Sequence, residues 1–380
     1  MKLLRSEDTQ EQAMFRRSVR TFMRGLAEQE AGWEEAGMVP RSVWLEAGEL
    51  GILGPTVPSE YGGLDLDRRF AAIAIEEQAR ALLGGPGFCG HSNMTTPYIT
   101  RYGSEEQKAK WLPKTVTGEI VMALAMTEPD AGSDLQNIRT TAIRDGDDYV
   151  VNGSKIFITN GISADLVIVA CKTDPAARGR GISLFVVEAD RAGFRKGRNL
   201  KKLGRKIQDT AELFFDDVRV PHTNLLGNEG EGFRYMKTEL AWERIQASVE
   251  ALGACEGMMD ATIEYTRNRK AFGRTVSEFQ NTRFKLAELA TEIQVIAVMV
   301  DRCMDLVCED SLDASIAAMA KLKSTELQGR VADECLQLHG GNGYMLEYPI
   351  CRAFADARIQ RIWAGTSEIM KEIIARDVFS

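Results

Sequence analysis

Apolar residues recur every three or four positions over residues 10–29, where Phe15, Val19, Phe22 and Leu26 form one stripe, so the segment predicts an amphipathic helix. The same texture runs to about Lys114. It breaks at Pro55-Thr-Val-Pro-Ser-Glu-Tyr-Gly-Gly-Leu and at Gly84-Gly-Pro-Gly, where turn formers cluster. At Val121 the period drops to two: Val121, Ala123 and Ala125 alternate as in a half-buried strand. Residues 149–151, 155–159, 166–170, 182–187 and 212–215 are further runs of β-branched and aromatic type. Asp145-Gly146 and Asn152-Gly153 are dipeptides that favour tight hairpins, and a turn is expected at each. After Pro221 only Pro349 remains, and residues 233–267, 278–308 and 314–338 predict a bundle of long helices. The expected class is α+β in three units. These are an N-terminal α-helical domain over 1–120, a middle β-barrel-like domain over 121–225 and a C-terminal four-helix bundle over 226–380.

Composition narrows the function classes. The formal charge of -8 argues against nucleic acid, whose binders carry a basic footprint. One local basic run, Arg195, Lys196, Arg198, Lys201, Lys202, Arg205 and Lys206, is either a phosphate-facing patch or a solvated loop. No apolar run has the length of a membrane span, and Met1-Lys-Leu-Leu-Arg leads into a charged helical segment, so a cytoplasmic protein without a targeting peptide is expected. The seven cysteines form no C-x-x-C pair, which predicts reduced, mostly buried thiols. The spacing of His91, His222 and His339 suggests no metal site.

The chemistry concentrates in a few segments. Leu124-Ala-Met-Thr-Glu-Pro-Asp-Ala-Gly-Ser-Asp134 places Thr127, Ser133 and a small-residue turn directly after an apolar strand, where a flat polar cofactor fits. A strand and turn whose hydroxyls serve their own backbone is the plainer alternative. This segment resembles the first signature of the acyl-CoA dehydrogenase family of flavoproteins. Gln337-Leu-His-Gly-Gly-Asn-Gly-Tyr to Asp356 is similar to the family's second signature, and the likeness extends over essentially the whole chain. It implies the acyl-CoA dehydrogenase fold with FAD as cofactor. No amino-acid side chain accepts a hydride, whereas a flavin does. The resemblance places Leu124, Met126, Thr127, Phe157 and Thr159 at the flavin ring, and Ser133 at the pantetheine or the flavin pyrophosphate. It places Arg269, Phe272 and Gln280, with Gln337, Gly340 and Gly341, at the adenosine and diphosphate of a flavin held by a neighbouring subunit. Without it, Arg269 is an exposed charge, Phe272 a core aromatic and the two glycines a helix cap. Thr366 and Glu368 fall on the flavin or its dinucleotide tail.

The general base stands apart from the common family pattern. Many members carry a Glu before Gly-Thr near the C-terminus, but Ile362-Trp-Ala-Gly-Thr-Ser-Glu368 has Ala364 there. Ala-Trp-Glu243-Arg244 is similar to the alternative arrangement of the isovaleryl-CoA and long-chain branches, which makes Glu243 the base. Met236, Leu240, Glu243 and Ala247 also share one helical face, so a carboxylate interrupts an apolar stripe. A boundary Glu paired to a cation is the competing reading. Leu240, Arg244, Ala364 and Gly365 are assigned to the substrate, with the Ala364 N–H holding the thioester oxygen. Asn137, Lys206 and Gln208 depart from the common pattern in the manner of the long-chain branch, and Met94 and Tyr98 are candidate stoppers of the acyl channel.

The expected activity is α,β-dehydrogenation of a medium-to-long or branched acyl-CoA by a homotetramer, with electrons passing to an electron-transferring flavoprotein. Two alternatives remain: a relative acting on carrier-protein thioesters or as an enoyl thioester reductase, and a non-catalytic scaffold of the same fold.

Overall fold

The computed structural model describes residues 4–380, so Met1–Leu3 of the charged opening segment lie outside the described residues. Helix α1, Gln10–Trp33, starts at a capping box between Thr9 and Gln12 and buries Val19, Phe22 and Leu26 of the predicted stripe together with Met23, while Phe15 is half-buried. It is followed by α2, Arg41–Glu49, and α3, Arg68–Arg80. A π-helical turn over Gly90–Thr95 leads into α4, Thr96–Tyr102, and α5, Glu105–Val116. Helix α3 lies between α1 and the first long helix of the C-terminal half, which is why residues over most of its circumference are buried.

The strands are β1, Met122–Ala125; β2, Thr141–Asp145; β3, Asp148–Thr159; β4, Leu166–Lys172; β5, Ile182–Glu188; β6, Phe194–Asn199; β7, Thr210–Pro221; and β8, Leu225–Leu226. They form one sheet in the order β6-β7-β3-β2-β4-β5-β8, with β1 parallel to β4. Strand β4 is covered on both faces. Leu166, Ile168 and Ala170 join a core with Tyr98, Trp111, Leu112 and Met236, whereas Val167, Val169 and Cys171 join Val151, Phe185, Leu213 and Val218. A strand so placed is apolar at every position instead of alternating.

The structure corrects two sequence readings. Asp145-Gly146 does turn the β2–β3 hairpin, but Asn152-Gly153 lies inside β3, at a register shift against β7. Gly153 has φ +146° and its missing Cβ would fall 2.7 Å from the Thr140 Cα, so the glycine serves a bulge and a close approach rather than a turn. The basic run is only in part a solvated loop. Its first part is β6; Arg195, Arg198 and Lys201 are exposed, whereas Lys196 donates to the Ile162 and Ala164 carbonyls, Lys202 to that of Gln208, and Lys206 pairs with Glu34.

The C-terminal half comprises α6, Gly232–Asn268; the short pair β9, Lys270–Ala271, and β10, Arg274–Thr275; α7, Gln280–Cys308; α8, Ala314–His339; α9, Pro349–Ala357; and α10, Ser367–Val378. Helix α6 is buried on most sides because α3, α7, α8 and β5 pack around it. Among the described residues no helix is long and apolar enough to cross a membrane.

One buried ion pair fixes the region where the two halves meet. The Lys155 ammonium, 1% exposed on β3, donates to Glu128 Oε1 at 2.8 Å and to the Met126 carbonyl at 3.0 Å. Glu128 also accepts the Arg139 and Thr140 N–H groups at 2.5 and 3.0 Å. Burial opposes its ionisation, yet Lys155 and these donors hold it below the ordinary carboxylate range. Lys155→Met is expected to lower stability by about 3–5 kcal/mol, because it leaves a buried carboxylate uncompensated. A urea midpoint that moves by less than the equivalent of about 1 kcal/mol would show that the pair is dispensable.

Candidate active site

The ends of β1 and β3 face α6 across a cavity. Leu124 comes from the first strand and Met126 and Thr127 from just beyond its end, Phe157 and Thr159 from the second, Glu243, Gln246 and Ala247 from the helix, and Trp363 and Ala364 from the loop before α10. Ile75, Ala79, Pro86, Cys89 and Met94 line its inner side. The geometry follows from the buried pair, since Lys155 holds the Met126 carbonyl and the Ile156 N–H donates to the Thr127 carbonyl at 3.0 Å. Strand and strand-end are thereby locked together.

Glu243 is 2% exposed, and its Oε1 has no hydrogen-bond partner among the described residues. Burial, reinforced by Glu239 one helical turn earlier, pushes its carboxyl up to about 8; Arg244 and the Tyr98 hydroxyl pull the other way. No cation forms an ion pair with it among the described residues, which removes the boundary-Glu alternative. A carboxyl so placed is largely protonated at neutral pH, and its ionised fraction grows toward about pH 8.

Three non-glycine residues of the cavity wall adopt left-handed backbone: Phe157 at φ +61°, Arg205 at +51° and Ala364 at +50°. Such conformations cost about 1–3 kcal/mol each and concentrate where side chains or amides must be aimed. The Ala364 turn is held from behind. Lys321, fully buried on α8, donates to the Gly365 carbonyl at 2.6 Å, and burial lowers its ammonium to about 8.

Of the residues singled out by sequence, Leu124, Met126, Thr127, Phe157, Thr159, Glu243 and Ala364 meet in the cavity. Gly365 follows at φ +92°, Thr366 caps α10 through the Ile369 N–H, and Glu368 is exposed in its first turn. Leu240 is half-buried one turn before Glu243, Arg244 is buried beside it, and Ser133 is exposed in the turn after β1; none of these three lines the cavity. Arg269, Phe272 and Gln280 sit exposed where α6 passes into α7, and Gln337, Gly340 and Gly341 are exposed at the end of α8. Phe272 is 96% exposed, so it is not a core aromatic, and Gly340 ends α8 at φ +59°, as a helix-terminating glycine does. Met94 lines the channel, but Tyr98 is fully buried, does not line the cavity and is not a stopper.

Several residues at the site carried no usable sequence signal. Arg205 pairs with Glu250, donates to Gln208 Oε1 and lies 4.5 Å over the Trp363 ring. The Cys89 thiol donates to Gln246 Oε1 at 2.9 Å. The contacts of Arg205 with Glu250 and Trp363 and of Cys89 with Gln246 join segments far apart in sequence. Arg205 looked like one more cation in a basic run, and only the folding of its loop onto Asp356 buries it.

The wall also fits a flat aromatic cofactor. Phe157 leaves 65% of its surface uncovered beside Leu124 and Met126, and the Thr159 hydroxyl has only a long 3.4 Å contact from Gln208. An apolar slot edged by available hydroxyls and main chain matches an isoalloxazine ring.

Comparison with known proteins agrees. Family profiles described as acyl-CoA dehydrogenase N-terminal, middle and C-terminal domains match residues 9–119, 123–218 and 230–379. The mitochondrial long-chain specific acyl-CoA dehydrogenase of Mus musculus is 50% identical over 373 residues, covering 97% of this chain and 87% of that protein. The mitochondrial isovaleryl-CoA dehydrogenase of Oryza sativa subsp. japonica is 38% identical, covering 98% and 92%. The crystal structure of an acyl-CoA dehydrogenase from Geobacillus kaustophilus superposes with a TM-score of 0.96 at 49% identity, covering 98% and 99%. With three domain profiles matched in order and half of its residues shared with a full-length relative, the chain belongs to the acyl-CoA dehydrogenase family of FAD-dependent oxidoreductases.

Proposed function

We propose that this acyl-CoA dehydrogenase acts on medium-to-long or methyl-branched acyl-CoA, uses Glu243 as the base for the α-proton and delivers its electrons to an electron-transferring flavoprotein. The observation that carries this reading is the buried, unpaired Glu243 carboxyl in a cavity to which the C-terminal loop brings Trp363 and Ala364 but, among the described residues, no carboxylate. Bound FAD supplies the acceptor for the β-hydride. Leu124, Met126, Thr127, Phe157 and Thr159 hold its ring; Thr366 and Glu368 hold its tail. The Ala364 N–H binds the thioester oxygen and stabilises the developing enolate, a role that needs no side chain at that position. Leu240 and Arg244 flank the substrate, and Ser133 meets the pantetheine. The three-unit division at residues 120 and 225 belongs to the same reading.

The exposed group formed by Arg269, Phe272, Gln280, Gln337, Gly340 and Gly341 completes a neighbour's cofactor site, which makes the assembly a homotetramer built as a dimer of dimers. Its exposure supports this, because Phe272 presents a bare ring that touches only Phe279, at 6.3 Å between centroids, among the described aromatic rings. Small side chains along the acyl side, Ala79 and Ala247, support a roomy channel.

Three outcomes test the reading. Glu243→Gln is expected to retain FAD but to lose flavin bleaching by acyl-CoA by about 100-fold to 10,000-fold, whereas the parent's rate rises about ten-fold between about pH 6 and 7 and levels off above about 8 as the base ionises. A flat profile, or a variant with more than about a tenth of the parent rate, would falsify the assignment. Replacing Arg269 and Phe272 with alanine should release FAD and weaken the dimer together; a monomer with full FAD occupancy by light scattering rules out the shared site. In steady-state assays, kcat/KM should rise with chain length by about 0.8 kcal/mol of binding per buried methylene and then level off. An optimum at butyryl-CoA or glutaryl-CoA would mean a shorter or more polar channel.

A further inference from the structure

The two groups that the proposed chemistry needs, a carboxyl for the α-proton and an amide for the thioester oxygen, stand on different elements. Glu243 belongs to α6, and the Ala364 N–H belongs to the loop before α10. That amide is unspent. Among the described residues the Ile362 and Trp363 N–H groups both donate to the Ile359 carbonyl, at 2.8 and 3.1 Å, whereas the Ala364 N–H donates to no backbone carbonyl. Its direction is fixed by the peptide plane that joins Trp363 to Ala364, because the N–H lies in that plane. Lys321 holds the far side of Ala364 through the Gly365 carbonyl, which leaves Trp363 to hold the near side.

Trp363 is itself held at two points. Its indole N–H donates to Gln360 Oε1 at 2.9 Å, and the Arg205 guanidinium lies 4.5 Å over its ring. Arg205 arrives from the loop between β6 and β7, where its φ is +51° and its backbone N–H donates to Asp356 Oδ1 of α9. The same guanidinium donates to Gln208 Oε1 at 3.2 Å and pairs with Glu250, which lines the cavity about two turns beyond Glu243 on α6. One side chain therefore touches both the helix of the base and the residue before the amide. We propose that Arg205 is a positioning residue that sets the Ala364 amide in register with Glu243, through Trp363 on one side and Glu250 on the other. This rests on Glu243 being the base and on the Ala364 N–H holding the thioester oxygen. A planar guanidinium suits the task, since its face covers an indole while its edge binds a carboxylate.

The test uses the FAD-loaded enzyme with 3,3-dimethylbutyryl-CoA, isotope-labelled at the thioester carbon, whose β-carbon has no hydrogen to lose. The carbonyl stretch is read by infrared difference spectroscopy, and flavin reduction by a dehydrogenatable acyl-CoA is measured beside it in a single anaerobic turnover. In the parent the stretch should fall below its position in water, as an aimed donor in a dry site requires. Arg205→Met combined with Glu250→Gln removes the pair without leaving a buried charge. That variant and Trp363→Leu should each return the stretch toward its position in water and slow reduction by about ten-fold to 100-fold. All three substitutions together should cost no more than about two-fold beyond the larger single loss, because Arg205 acts on the amide through Trp363. Losses that multiply overturn the proposal, as does a carbonyl that stays shifted without Arg205. A loss that grows with acyl chain length also overturns it, since Arg205 then works on the substrate's tail. If the paired variant fails to hold FAD, Arg205→Lys decides: it keeps a charge for Glu250 and loses the flat face over Trp363, and a stretch unchanged from the parent's overturns the proposal. Failure of the underlying reading looks different and takes the proposal with it. The carbonyl is then unshifted in the parent, or Glu243→Gln still bleaches its flavin.

Discussion

The site depends on a lysine that is almost wholly excluded from water. Lys155 lies within β3, 1% exposed, and its ammonium is tolerated only because Glu128 and the Met126 carbonyl meet it there. Glu128 in turn takes two backbone N–H groups, of Arg139 and Thr140, from the segment that leads into β2. The consequence is geometric. The end of β1 cannot drift from β3, so Met126, Thr127, Phe157 and Thr159 present one surface, and the chain between them is free to be a turn of small residues.

The opposite wall is built by a similar device. Lys321 on α8 reaches the Gly365 carbonyl and fixes the loop in which Ala364 holds φ +50°. An amide aimed from a left-handed residue is available for binding because it is not spent in a helix, and the strain is borne by a buried hydrogen bond to a cation. Two internal lysines, one per half of the molecule, thus define the two sides of the cavity. Arg205, over Trp363 and paired with Glu250, links them at the rim.

Between these walls lies α6. It carries Glu239 and Glu243 at one-turn spacing in a segment where nearly every residue is buried, so the Glu243 carboxyl feels low polarity and the charge of Glu239. Arg101 and Tyr102 bind the outer carboxylate and leave the inner one unpaired. That asymmetry distinguishes the two groups: the one lining the cavity is unpaired, and the one behind it is held by the Arg101 guanidinium.

The chain's own residues determined much of this before any folding was considered. The change of period at Val121, the apolar runs of 166–170 and 182–187 and the long periodic segments after Pro221 announced the helices, the sheet and the bundle, because side-chain periodicity is a local property of the backbone. Glu243 was legible as a carboxylate interrupting an apolar face, and Ala364 as the absence of one. Tertiary structure alone decided the rest. Asn152-Gly153 has the composition of a turn but is a bulge, because Thr140 packs against it. Arg205 and Lys196 have the composition of a solvated run but are drawn inward by carbonyls and carboxylates more than 30 residues away. Tyr98 looked like a channel stopper but is fully buried and does not line the cavity. In each case the residue's neighbours are supplied by another element, and burial and hydrogen bonding across such distances are fixed by packing, which no local pattern encodes.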